Sequence, residues 1–165
     1  MQITEATKYA EFKPVEKYVT KKTVQGLFES AEEKFGKMYD LEFGTFWQCS
    51  NDNFEEVLGN MSEPTVLQVY WKKLFEKFVE EFAATLKAMT LTQTAEEIQA
   101  AEGLLKISWD EAILVFVRDY FGLHSFKDAE RITMGEILIA KRATYNREKF
   151  QRKLAKIQTA KLHKK

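Results

Sequence analysis

The 165-residue sequence is poor in residues that cross-link a chain, coordinate metals or break helices. It has one cysteine, two histidines and two prolines. With Cys49 alone, no disulfide can form within the chain, which favours a reducing compartment. No apolar run approaches the length of a membrane span, and the first twelve residues lack the basic start and apolar centre of a signal peptide. We therefore expect a soluble, cytoplasmic protein without a membrane partner.

Side chains suited to catalysis or metal binding are equally scarce. His124 and His163 have no partner at a metal-binding spacing, and Cys49 has no histidine near it in sequence. A phosphate-binding glycine loop and a nucleophile elbow are also lacking. Adjacent glutamates such as Glu80 and Glu81 diverge on a helix, which is typical of a solvated surface. We predict no enzymatic activity, no cofactor and no metal, with Cys49 buried and His124 in a loop.

The sequence is rich in aromatic residues and uneven in charge. Aromatic content is 13%, with thirteen Phe, which favours a core or an interface built on large flat side chains. Net charge is zero, yet ten Lys or Arg and one acid, Glu148, lie from Lys141 onward. The first 140 residues therefore carry the opposite excess. This asymmetry indicates a basic end that meets an acidic partner or nucleic acid.

The stretch Thr65–Thr90 predicts one long central helix. Large apolar residues recur along it in steps of three and four, which is the spacing of one helix face, and further apolar residues widen that face. So broad an apolar face needs neighbours on more than one side. Pro64 suits a helix start, and Ser62 is the expected cap before it.

Shorter elements are predicted before the central helix. They are an N-terminal arm held by Ile3, Tyr9 and Phe12, a helix over Thr23–Phe35 ended by Gly36, a short helix capped by Asp40, and one helical turn stopped by Gly59.

Three pairs with capping-box spacing predict the helices that follow. The pairs are Thr94–Glu97, Ser108–Glu111 and Thr133–Glu136, and the helices run over 95–104, over 109–121 and from 134 to about 160. The run 112–117 could alone pass for a buried strand, but its capping box favours helix. The fold class is therefore mainly α: a single-domain helical bundle with one long central helix and a long basic C-terminal helix. We assign residues 1–145 to the core and 146–165 to a basic helical extension.

The last helix has too thin an apolar stripe to be buried along its whole length. Phe150, Leu154 and Ile157 continue the stripe among many cations, so this half is expected to project beyond the core or to pack on a partner. Its cations could neutralise phosphates. The cations could also belong to a helix end that is simply solvated. A third interpretation is a docking helix for an acidic protein surface, such as the acidic N-terminal part of another copy. The last of these interpretations is favoured.

Two stretches repeat one design. In residues 34–49, Gly36 ends a helix and Gly44 lies in the first turn of the next; in residues 119–140, Gly122 and Gly135 hold the same places. A generic joint between two helices is sufficient to explain both.

The second stretch also resembles the end of small proteins of tailed bacteriophages and prophages, among them tail assembly chaperones. The matching residues are Gly122, Phe126, Ile132, Thr133, Gly135, Glu136 and Ile137, followed by a basic helix. The segment LEFGTFWQCS, at 41–50, resembles a segment near the N-terminus of such proteins. The resemblance implies a mainly helical, non-enzymatic protein that binds the tape-measure protein and the tail-tube subunit in the cytoplasm. The aromatic middle and the long basic end depart from that family, and they keep a virion connector or a DNA-contacting packaging protein as the alternative.

We therefore predict a phage or prophage assembly protein that binds an unassembled tail protein. A homo-oligomer and nucleic acid stay open as further partners, and the virion stays open as a location. The residues expected to bind the partner are Phe43, Phe46, Trp47, Arg147, Phe150, Arg152, Lys153, Leu154, Lys156 and Ile157.

Overall fold

A computed structural model describes residues 3–4, 6–101, 108–123 and 125–162. Predictions about His124, His163, the stretch 102–107 and the side chains of Trp109 and Phe126 lie outside the described part. Within it, regular structure is helical and no strand is found, which confirms a mainly α fold. The helices are α1 (Tyr9–Phe12), α2 (Lys21–Phe35), α3 (Phe43–Ser50), α4 (Glu55–Leu58), α5 (Val66–Ala88), α6 (Ala95–Ala100), α7 (Trp109–Tyr120), α8 (Phe126–Ala129) and α9 (Met134–Leu162), with 3-10 turns at Glu16–Tyr18 and Met38–Asp40. None of the described helices is long and apolar enough to cross a membrane.

Helix α5 is the central helix, as predicted, but its start differs. The predicted cap Ser62 is wrong, because Thr65 occupies the N-cap and forms a capping box with Gln68. The Gln68 side-chain oxygen accepts from the Thr65 amide at 2.6 Å, and its side-chain nitrogen donates to the Leu58 carbonyl at 2.6 Å. Gln68 is buried, so one amide side chain both starts α5 and holds the end of α4 against it.

The core lies between α5 and the helices on either side of it. On one side α2 packs along α5 and buries Leu27 and Ala31. On the other side α3 places the ring of Phe46 among three rings of α5. The rings contacted by Phe46 are Phe75, Phe78 and Phe82, at centroid distances of 5.5, 6.2 and 6.1 Å.

The N-terminal arm is held as predicted, since Phe12 is fully buried and Ile3 and Tyr9 pack against the core.

The ends of the helices are mostly where the sequence places them. All three predicted capping pairs form, and α7 is a helix, not a strand. Helix α2 begins at Lys21, two residues earlier than predicted, because the Thr20 side chain caps it by accepting from the Thr23 amide at 3.2 Å. Helix α6 ends at Ala100, and the rest of its predicted length lies outside the described residues. Helix α9 is continuous from Met134 to Leu162.

The two repeated joints pack against each other. The Phe43 amide donates to the Ile132 carbonyl, and the Met134 amide donates to the Leu41 carbonyl, both at 2.8 Å. These two hydrogen bonds are equivalent under a local two-fold rotation that exchanges the start of α3 with the start of α9. The predicted Asp40 cap is wrong for this reason: α3 has no side-chain cap, and its first amides are satisfied by the other joint.

The glycine in each joint permits this close approach. A Cβ at Gly44 would lie 3.1 Å from the Glu130 Cβ, and one at Gly135 would lie 3.1 Å from the Tyr39 carbonyl oxygen. Both distances are shorter than ordinary van der Waals contact, so the shared glycine position is explained by the pairing of the joints.

Gly135→Ala is expected to lower the free energy of unfolding by about 1–2 kcal/mol, because the added methyl group meets a backbone carbonyl that cannot rotate away. Gly26→Ala in α2 is the matched control. No heavy atom lies within 4 Å of its added Cβ, so the better helix propensity of alanine should stabilise the protein by about 0.5–1 kcal/mol. Urea denaturation monitored by circular dichroism measures both. Equal stabilisation at the two positions would show that the joints are loosely packed.

Candidate functional site

Helix α9 has two different faces. Its first turns pack on the core through Met134, Ile137 and Ala140, which are buried. On the same side, Lys141 places its ammonium 4.5 Å from the centre of the Phe116 ring. The N-terminal half of the helix therefore packs on the core.

The opposite face of α9 carries large apolar side chains in solvent, which we call the outer stripe. It consists of Ile139, Phe150, Leu154 and Ile157, with exposed fractions of 70, 64, 41 and 45%. At 3.6 residues per turn these four positions fall within an arc of about 60° and extend over about 27 Å. The stripe points away from the core face, so the fold itself does not bury it. Apolar residues aligned in this way on one exposed face are typical of a docking helix.

Cations border the outer stripe on both sides. Arg142 and Lys153 lie on one border, Arg147 lies on the other, and Lys161 lies one turn beyond Ile157; all four are exposed. Glu148, the one acid from Lys141 onward, projects from the opposite side of the helix at this periodicity. The stripe is thus an apolar surface in a positive field, which favours an acidic partner.

Arg152 was expected to bind the partner but is engaged with its own chain. It donates to the Thr92 carbonyl at 2.7 Å and to both carboxylate oxygens of Glu97 at 3.0 and 3.1 Å. Glu97 also accepts from the Thr94 amide at 2.8 Å in the capping box of α6. Arg152 therefore fixes the distal half of α9 beside α6, with the outer stripe facing outward.

The predicted aromatic surface on α3 is wrong for two of its three residues. Phe43 and Phe46 are each 1% exposed and belong to the core. They are buried because α3 lies between α5 and the start of α9. Trp47 is only partly buried, and it is the one member of the trio with a ring available at the surface.

Trp47 lines an open groove of about 570 Å³ between α3 and α5, which we call the acidic groove. Its wall is apolar, and its rim carries Glu76 and Glu80, both exposed. Lys72 and Asp52, also on the rim, neutralise each other through an ion pair of 2.8 Å. Sequence reasoning missed the groove because the spacing of Glu76 and Glu80 does not show which helix lies opposite. The apolar wall is formed by Phe46, Trp47, Cys49, Phe54, Phe75 and Val79.

Cys49 is buried beneath the groove, as predicted. Burial, with a smaller contribution from the charge of Glu56, raises the pKa of its thiol to about 11. The thiol is therefore protonated at neutral pH and is a poor nucleophile. Across the described residues, no group of three or more His, Cys, Asp or Glu side chains is placed to hold a metal ion.

Comparison with known proteins gives no further guide to the function. No family model matches the chain, and no curated protein or solved structure matches it significantly. The outer stripe and the acidic groove are therefore the features from which the function is inferred.

Proposed function

We propose that this protein is a non-enzymatic assembly protein of a tailed phage or prophage, which binds an unassembled tail protein in the cytoplasm through the outer stripe of α9. The observation that carries the proposal is the position of Phe150, Leu154 and Ile157 on the side of α9 that faces away from the core. Large apolar groups held in solvent by a fixed helix favour a role in protein binding.

The proposed mechanism is passive, because no bond is made or broken. The stripe covers an apolar segment of the tail protein until assembly releases it, in the manner of a helix lying in a groove. The neighbouring cations Arg142, Arg147, Lys153 and Lys161 attract an acidic surface, which raises the association rate and selects against basic partners.

The phage assignment is supported by the resemblance at the start of α9. Ile132, Thr133, Gly135, Glu136 and Ile137 match the family pattern. In this chain they form the capping box and the glycine contact by which α9 attaches to the core. The pattern therefore marks the part of the molecule that orients the outer stripe.

Removing two apolar members of the stripe should weaken partner binding without unfolding the protein. We expect Phe150→Ser with Ile157→Ser to weaken binding of the purified tail-tube or tape-measure protein of the same phage at least about tenfold, since each side chain is an exposed anchor. Isothermal titration calorimetry measures the affinity.

The matched control is Gln151→Ser with Gln158→Ser. These residues have the same seven-residue spacing on the same helix, are exposed, and lie outside the stripe. The control should bind like the wild type and melt at the same temperature as the stripe variant. Undiminished binding by the stripe variant would refute the proposed function.

Nucleic-acid binding is the second candidate, and the exposed cations of α9 favour it. Phosphates would contact Arg147, Lys149, Lys153, Lys156 and Lys161, and the affinity would fall steeply with salt. These cations flank the outer stripe, so a phosphate backbone lying across them would cover the apolar side chains without contacting them favourably. The variant Phe150→Ser with Ile157→Ser separates the candidates: nucleic-acid binding should survive it, because all five cations remain, whereas protein binding should weaken.

A further inference from the structure

The acidic groove and the outer stripe are complementary surfaces on one molecule. The groove has an aromatic wall beneath two exposed carboxylates, Glu76 and Glu80. The stripe has Phe150, Leu154 and Ile157 between exposed cations. In the groove, Trp47 and Val79 are the apolar side chains that are only partly buried. They could pack against the exposed apolar side chains of the stripe, and the charges of the two surfaces have opposite signs.

The stripe cannot reach the groove of its own chain. Met134, Ile137 and Ala140 hold the start of α9 in the core, and the helix is unbroken to Leu162. Arg152 fixes the distal half to Thr92 and α6. An intramolecular contact would require a break in α9 and the loss of these hydrogen bonds, so the complementary surfaces can meet only between molecules.

We infer that the acidic groove receives the outer stripe of a second copy of this chain, with Phe150 placed against Trp47 and Val79, the two partly buried apolar residues of the groove. This inference rests on the proposed docking role of the stripe, and it names a second copy as the molecule that occupies the groove. The two surfaces are different, so the contact is head-to-tail: each copy offers one free stripe and one free groove, and the assembly grows without a two-fold axis.

The distribution of charge supports a second copy as the occupant. The ten Lys or Arg and one acid from residue 141 onward leave an excess of nine positive charges there, and a net charge of zero requires an excess of nine negative charges before it. Two copies aligned head-to-tail bring the positive part of one against the negative part of the next. A two-fold dimer through the stripe would instead place the cations bordering one stripe beside those of the other.

The size of the surfaces predicts a weak, reversible assembly. Phe150 to Ile157 is two helical turns, about 10 Å, and the groove has a volume of about 570 Å³. A contact of this extent falls below the area of a standard stable interface, so we expect a dissociation constant on the order of 10–100 µM, rising with salt. Copies would associate when concentrated and separate when a tail protein competes for the stripe.

Two variants, each lacking one surface, test the inference. The stripe variant is Phe150→Ser with Ile157→Ser; the groove variant is Glu76→Lys with Glu80→Lys. We expect the wild-type chain to form a concentration-dependent series of oligomers in sedimentation velocity, and each variant alone to stay monomeric. An equimolar mixture should form a one-to-one dimer and stop there, because only one stripe and one groove remain intact.

The control for charge is Glu29→Lys with Glu33→Lys in α2, which makes the same change at exposed positions that do not line the groove. It should associate like the wild type. The inference is overturned if the wild type is monomeric at several hundred micromolar, if the groove variant associates like the wild type, or if the mixed variants fail to pair.

The outcomes separate this inference from the proposed function. A groove variant that still binds the tail protein but also still self-associates refutes the inference and leaves the proposed function intact. A stripe variant that loses self-association but still binds the tail protein refutes the proposed function and leaves the head-to-tail contact intact.

Discussion

Phe46→Ala is expected to lower the free energy of unfolding by about 3–5 kcal/mol, the cost of removing a buried aromatic ring and leaving a cavity. The ring is 1% exposed and contacts Phe75, Phe78 and Phe82 of the central helix. A loss of this size is a large part of the 5–15 kcal/mol that stabilises a typical domain. Phe46→Leu fills most of the space and should cost no more than about 1.5 kcal/mol, so it keeps the comparison measurable if the alanine variant does not fold.

Phe150→Ala is the matched control, because it removes the same ring from a site that is 64% exposed. Its effect on stability should lie within about 0.5 kcal/mol. Guanidinium titration monitored by circular dichroism gives the free energies. Similar losses at Phe46 and Phe150 would show that the two rings do not differ in burial, which would contradict the division between the core and the outer stripe.

The helices could be predicted from the sequence because the features that start and end them are local. The pairs Thr94–Glu97, Ser108–Glu111 and Thr133–Glu136 act within one helical turn. Gly36 and Gly59 end their helices with positive φ, at 97° and 76°. Where a predicted start is wrong, as at Ser62 and Asp40, a competing partner is responsible. Thr65 caps α5 because it forms a capping box with Gln68. The first amides of α3 donate to carbonyls about ninety residues away in sequence.

The candidate functional surfaces were only partly predictable, because burial depends on which helices meet. Phe43, Phe46 and Trp47 share one face of the helix over 43–50, so periodicity alone cannot separate Phe46 in the core from Trp47 at the surface. Three members of the outer stripe, Phe150, Leu154 and Ile157, were predictable because few apolar residues stand among many charges there. Ile139 was missed, because it lies among the apolar residues of the first turns of α9. The role of Arg152 was not, since Thr92 and Glu97 are about sixty residues away in sequence.

Glu16→Ala is expected to destabilise the protein by about 2–3 kcal/mol, because Glu16 organises a polar cluster that attaches the N-terminal arm to α5. Its carboxylate accepts from the Tyr9 hydroxyl at 2.7 Å, from the Tyr70 hydroxyl at 2.9 Å and from the Lys73 ammonium at 2.6 Å. Removing it leaves three donors without their acceptor, one of them on Tyr70, which is 2% exposed. Glu11→Ala, at an exposed site on the same arm, should change stability by less than about 0.5 kcal/mol.

The acid dependence of this stabilisation follows from the pKa of Glu16. Burial raises that pKa, but hydrogen bonds from Lys73, Tyr9 and Tyr70 outweigh burial and hold it below its ordinary value. A carboxyl whose pKa is lowered by folding stabilises the protein above its unfolded pKa, about 4.3, and this contribution is lost as pH falls through the folded pKa. Glu16→Gln removes the charge and keeps the shape. The stability difference between wild type and Glu16→Gln should therefore be constant from about pH 6 to 8 and shrink below about pH 4.3.

The alkaline side gives an independent test of the same cluster. Burial lowers the pKa of Lys73, but its hydrogen bond and charge interaction with Glu16 outweigh burial and raise it above the ordinary value. A lysine with a raised pKa stabilises the fold below its unfolded pKa, about 10.4, and that contribution is lost as pH rises through the folded pKa. Burial and the hydrogen bond to Glu16 also raise the pKa of the Tyr70 hydroxyl, which keeps that donor protonated over the same range. The difference in the free energy of unfolding between wild type and Glu16→Gln should therefore shrink both in acid and in strong base. A difference that stays constant from pH 3 to 11 would mean that Glu16 acts through packing alone, and the polar cluster would then not be what attaches the arm.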